Sequence, residues 1–145
     1  MTSWVVADAG SLVATAFKET HSEVAAELWK YWDTQRIAVT APTLFHYEVV
    51  AVVRKNVYKG IITPEEGIRV RDRLLARRVT LMIDQHLLRR AYEIATQFNQ
   101  PTAYDSQYLA VAERLGCEFW TLDEKLFNIV SHTLPWVKWV GNFTP

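Results

Sequence analysis

The chain has 145 residues, half of them hydrophobic, with six each of Trp, Tyr and Phe, and its 16 Lys and Arg balance 16 Asp and Glu to a formal net charge of zero. That length suits one domain spanning residues 1–145 with a substantial core, and the apolar content excludes a disordered chain. A single cysteine, Cys117, excludes an intrachain disulfide and a thiolate metal centre, while the lack of a signal-peptide pattern or of an apolar run near ~18 residues predicts a soluble, cytoplasmic protein with no membrane partner.

In chain order the pattern alternates strands with helices. A strand near residues 3–8 leads to a short helix beginning near Ser11, then a helix over 21–34 with Val24, Ala25, Leu28 and Trp32 at helical spacing. Trp29, Tyr31 and Trp32 crowd that helix and cannot all face one core stripe. Arg36 to Thr40 reads as a strand, and Pro42 suits the first turn of a long helix ending near Gly60. Thr63-Pro64-Glu65-Glu66 has the cap, proline and glutamate of a capping box, opening a helix to about Arg77.

Val79 to Ile83 is a predicted strand and Leu87 to Phe98 a helix. Another helix starts around Pro101-Thr102 and stops at Gly116. Glu118 to Leu122 is a strand, with Cys117 placed beside it as a small core residue; a short helix covers Glu124 to Val130, and Val137 to Val140 is an edge strand near Trp136 and Trp139. Such alternation predicts an α/β fold with a mostly parallel sheet covered by helices on both faces.

Four acids punctuate this order. Asp8 closes Val5-Val6-Ala7 and Asp123 closes Phe119-Trp120-Thr121-Leu122, so both sit at carboxyl ends of predicted strands. Glu48 interrupts the apolar stretch from Leu44 to Val53, and Asp105 opens an apolar-periodic stretch. Each has a plainer explanation on its own. Asp8 suits a turn, Thr102-x-x-Asp105 a helix cap, Asp123 the cap of the next helix, and Glu48 a narrow exposed stripe with Lys55 and Lys59.

Parallel strands would nevertheless bring the four to one edge of the sheet, where open α/β folds bind ligands. Carboxylates gathered there repel one another unless a hard cation intervenes. An oxygen-only donor set selects Mg²⁺ or Mn²⁺ over Zn²⁺ and suits one ion or two. Such a centre performs phosphodiester hydrolysis, activating water and stabilising the leaving oxygen.

Val5-Val6-Ala7-Asp8-Ala9-Gly10-Ser11-Leu12-Val13 and Ala41-Pro42-Thr43-Leu44-Phe45-His46-Tyr47-Glu48-Val49-Val50 resemble segments of PIN domains, and specifically of VapC toxins of toxin–antitoxin pairs. So do Thr102-Ala103-Tyr104-Asp105-Ser106-Gln107-Tyr108-Leu109-Ala110-Val111-Ala112 and Phe119-Trp120-Thr121-Leu122-Asp123-Glu124-Lys125-Leu126. The four segments stand in the family's order over nearly the whole chain. The resemblance implies a three-layer α/β/α domain with a five-stranded sheet. It implies a Mg²⁺- or Mn²⁺-dependent endoribonuclease using Asp8, Glu48, Asp105 and Asp123, a homodimer, and an inhibitory antitoxin partner. Thr121 matches the supporting hydroxyl before the last acid. Ser11 is offset by one position from the usual polar residue, where Gly10 stands, and Ala51 replaces a frequent Asn three residues after Glu48.

An RNA substrate needs cations near the scissile phosphate. Lys55 lies two helical turns beyond Glu48, ~10 Å along the axis, with Arg54 and Lys59 nearby as further RNA-binding candidates. Arg69, Arg73 and Arg77 make an i, i+4 stripe with two readings: phosphate contacts, or a solvated face paired with Glu65, Glu66 and Asp72. His21, His46, His86 and His132 follow no metal or triad spacing. A phosphotransfer receiver lacks support because no second acid adjoins Asp8. The remaining alternatives are a PIN-fold RNA-processing nuclease and a non-catalytic RNA- or protein-binding module.

Overall fold

The computed structural model describes residues 3–145. Five strands form one all-parallel sheet: β1 (Trp4–Ala7), β2 (Ala38–Pro42), β3 (Thr80–Met82), β4 (Phe119–Thr121) and β5 (Val137–Trp139). Their spatial order is β3-β2-β1-β4-β5. The helices are α1 (Ala9–Val13), α2 (Ser22–Thr34), α3 (Leu44–Tyr58), α4 (Pro64–Leu75), α5 (Gln85–Gln97), α6 (Tyr104–Leu115) and α7 (Glu124–Val130).

The chain moves outward from β1 to β3, then crosses to β4 and continues to β5 the other way. Right-handed crossovers therefore put α1–α4 on one face and α5–α7 on the other, the expected three layers. The reversal falls between β1 and β4, and ligands in such sheets bind outside the strand ends at that point. Val5, Val6 and Ala7 are all buried, as befits a strand covered on both faces. Val6 pairs with Phe119 and Ala7 with Trp120, so Asp8 emerges beside Thr121.

Several boundaries differ from the sequence expectation, each for a local reason. Arg36 adopts φ 57°, a left-handed turn conformation after α2, so β2 begins only at Ala38. Pro42 ends β2 instead of entering α3, because it pairs with Met82 at the sheet edge. Gly116 ends α6 at φ 62°, leaving half-buried Cys117 in the connection before β4, outside the strand. Thr63 does form the capping box, accepting from Glu66 N at 3.1 Å while Glu66 accepts from Thr63 N at 3.4 Å. No side chain caps α6, whose first helical residue is Tyr104, so the Thr102–Asp105 capping arrangement is absent.

In α2, Trp29 and Trp32 are buried edge-to-face at 5.1 Å, and Tyr31 turns outward against Phe143. Helix α3 buries a narrow stripe of Phe45, Val49 and Val53, leaving Tyr47, Val50 and Val52 exposed. Among the described residues no helix is long and apolar enough to cross a membrane.

Candidate active site

Asp8 follows β1 in extended backbone and caps α1, accepting from Ser11 N on Oδ1 at 2.9 Å. Its Oδ2 accepts two protons, from Thr121 Oγ1 at 2.7 Å and from Leu122 N at 2.9 Å. Thr121 in turn accepts from Asp123 N at 3.0 Å. Ser11 donates its hydroxyl to the Asp8 carbonyl at 2.8 Å and accepts from Trp29 Nε1 at 3.3 Å. Both hydroxyl residues are fully buried, so Thr121 and Ser11 support Asp8 directly.

Glu48 lies in the second turn of α3, half-buried. Its Oε1 accepts from the Tyr108 hydroxyl at 2.6 Å. Asp105 is exposed in the first turn of α6, where the helix dipole favours negative charge. Asp123 is also exposed and caps α7, accepting from Leu126 N at 3.0 Å.

Their electrostatics link the four. Burial pushes the Asp8 pKa up against three hydrogen bonds that pull it down, and Asp105 adds repulsion. Glu48 is raised by burial and further by Asp105 and Asp8, against the Tyr108 hydrogen bond. Although exposed, Asp105 is raised by partial desolvation from the groups around it and then by Asp123, with no hydrogen bond opposing. Asp8, Glu48, Asp105 and Asp123 therefore share one strongly negative locality. None of the ion pairs among the described residues neutralises any of them.

Among the described residues, no three carboxylate, imidazole or thiolate side chains are already gathered tightly enough to hold an ion. The donor chemistry still fits a hard dication: four carboxylates, oxygen only, partly desolvated, and uncompensated by Lys or Arg. A dication is the kind of partner that lowers this cost.

The sequence reading overlooked Tyr108, although Asp105-x-x-Tyr108 is a same-face helical spacing. The tyrosine is 1% exposed, an unusual setting for a phenol without a polar task. Of the basic candidates, Arg54, Lys55 and Lys59 are exposed along the end of α3. Arg69 and Arg73 are exposed too, but Arg77 is engaged. It pairs with Asp33 at 2.8 Å, donates to the Trp29 carbonyl at 3.2 Å and lies 4.9 Å above the Trp29 ring. Its partner is thus on α2, while Asp72 pairs with Arg71. His46 packs on Phe45, and its Nε2 is buried with no hydrogen-bond partner among the described residues.

Comparison with known proteins agrees with this fold. The PIN domain family model matches residues 5–131. Among solved structures, the chain is similar to PAE2754 from Pyrobaculum aerophilum, with TM-score 0.68 and 22% identity over 97% of this chain and 93% of that one. That likeness is one of fold. No curated protein matches the sequence.

Proposed function

The chain belongs to the PIN domain family, a nuclease fold, and from that premise we propose that it is a Mg²⁺- or Mn²⁺-dependent endoribonuclease. What supports this reading is the mutual repulsion that couples Asp8, Glu48, Asp105 and Asp123 near the β1/β4 switch point, with no ion pair among the described residues offsetting it. These four residues would hold the cation. When bound, the ion supplies charge neutralisation at the phosphate and water activation.

The protein's own groups have separable tasks. Asp8 is fixed from three directions and orients its carboxylate through Thr121, Leu122 and Ser11. Asp105, exposed and free of opposing hydrogen bonds, accepts a proton from the attacking water. Water adds to phosphorus, one ester P–O bond breaks, and the departing oxygen takes a proton from solvent water. Lys55, with Arg54 and Lys59, draws the RNA backbone toward the acids without reading its sequence.

The sequence segments around all four acids further resemble those of VapC toxins. On that basis we assign the protein to the toxin side of a toxin–antitoxin pair, acting as a homodimer in the cytoplasm and restrained by an antitoxin. The test is cleavage of a mixed structured-RNA pool with Mg²⁺, Mn²⁺ or EDTA, by wild type and Asp105→Asn. Cuts that need metal and vanish in the variant support the nuclease. Folded, metal-loaded wild type that cuts nothing defeats it. Growth arrest on expression, relieved by Asp105→Asn, tests the toxin assignment separately.

A further inference from the structure

We propose that Tyr108 is a positioning residue that presents the Glu48 carboxylate to the bound cation. This rests on the metal-dependent reading above. The phenol donates to Glu48 Oε1 at 2.6 Å, a usual length for a charge-assisted O–H···O⁻ bond. A phenol has one proton to give, and the geometry directs it to Glu48.

The ring is immobilised for this task. Tyr108 is 1% exposed and stacks on Phe119 of β4, with centroids 5.6 Å apart and planes 12° from parallel. It lies one turn beyond Asp105, so α6 carries one acid and holds another. Its hydroxyl joins the helix bearing Glu48 to the helix bearing Asp105. By occupying Oε1, it leaves Oε2 as the unconstrained oxygen and fixes the carboxylate plane. A hydrogen bond from outside the ligand set that orients a ligand contributes about 10–100-fold to metal affinity.

The experiment is a Mn²⁺ titration of the full chain, followed by electron paramagnetic resonance of free ion, for wild type, Tyr108→Phe, Glu48→Gln and the double variant. Tyr108→Phe keeps the ring and its stack while removing the hydroxyl. Its Mn²⁺ affinity is expected to fall about 10-fold or more, and the lost cleavage rate to recover as Mn²⁺ is raised. In the Glu48→Gln background the same substitution should have little further effect, because Tyr108 acts through that carboxylate.

Unchanged affinity in Tyr108→Phe, or an equal loss in both backgrounds, overturns the proposal while leaving the nuclease reading intact. Wild type that binds no Mn²⁺ overturns both. Should Tyr108→Phe lose its fold by circular dichroism, the tyrosine ultraviolet difference spectrum on adding Mg²⁺ decides. A change in wild type that is absent in Glu48→Gln supports the coupling, and no change in wild type removes it.

Discussion

Thr121 donates its hydroxyl proton to Oδ2 of Asp8 at 2.7 Å, tying the last residue of β4 to the acid that follows β1. Thr121 Oγ1 in turn accepts the N–H of Asp123, so one buried hydroxyl spans the switch point and serves two of the four acids. Thr121→Val preserves shape and removes both bonds, leaving the Asp123 N–H without its Thr121 partner. Unsatisfied polar groups of this kind cost about 1–3 kcal/mol. Urea unfolding should show that loss, and Thr121→Ser should restore most of it. Cleavage should follow the same ranking. Equal stability of the valine variant and wild type would show that Thr121 is dispensable.

Asp105→Asn is the cleanest way to remove one charge. Asp8→Asn would set an amide N–H₂ against donors already aimed at Asp8, whereas Asp105 is exposed and no hydrogen bond offsets its raised pKa. Relieving repulsion should raise the melting temperature of chelated protein by about 2 °C, while cleavage falls to background. Calorimetry with EDTA measures the first effect. A lower melting temperature would mean that Asp105 supports the fold.

The acids also set a direction for pH dependence. Asp8, Glu48 and Asp105 have folded pKa values above their ordinary 3.8, 4.5 and 3.8, so the native state keeps protons that the unfolded chain has released. Stability from these groups therefore falls as pH rises from the ordinary values through the raised ones. Asp84 and Glu113 act oppositely. Held low chiefly by Arg114 and Arg90, they contribute above their ordinary values and lose that contribution on acidification through the lowered ones. Melting of chelated protein should decline as pH rises over the range just above those ordinary values, and saturating Mg²⁺ should flatten that decline. A chelated protein that gains stability across this range would contradict the sign.

The acidic residues and the sheet were legible because their signals are local. Short apolar runs ending in Asp8 and Asp123 mark strand ends, and the capping box at Thr63 declares the start of α4. Tyr108 was hidden because its partner, Glu48, is distant in sequence. A buried phenol reads as core until the fold supplies that partner. Arg77 misled for the same reason. Its helical spacing predicts a stripe with Arg69 and Arg73, but tertiary contact with Trp29 and Asp33 decides its role. Pro42 read as a helix start because the sheet edge at Met82 is not visible in sequence.

A last prediction concerns the pairing of α3 and α4, which supports the helix that carries Glu48. Gly67 is buried against α3, and a Cβ there would lie 2.4 Å from Val57 Cγ2. Valine is stiff at χ1, so it cannot readily swing away. Gly67→Ala should therefore destabilise by about 1–3 kcal/mol despite the better helix propensity of alanine. Val57→Ala in the same chain opens the needed space, and the double variant should be more stable than Gly67→Ala alone. Glu48 lies nine residues from Val57, about 14 Å along the axis, so cleavage per folded molecule should persist in Gly67→Ala. Chemical unfolding of the two single variants and the pair measures the coupling. Strict additivity would show that the two helices adjust by moving apart, and the clash at Val57 would then not be what requires glycine.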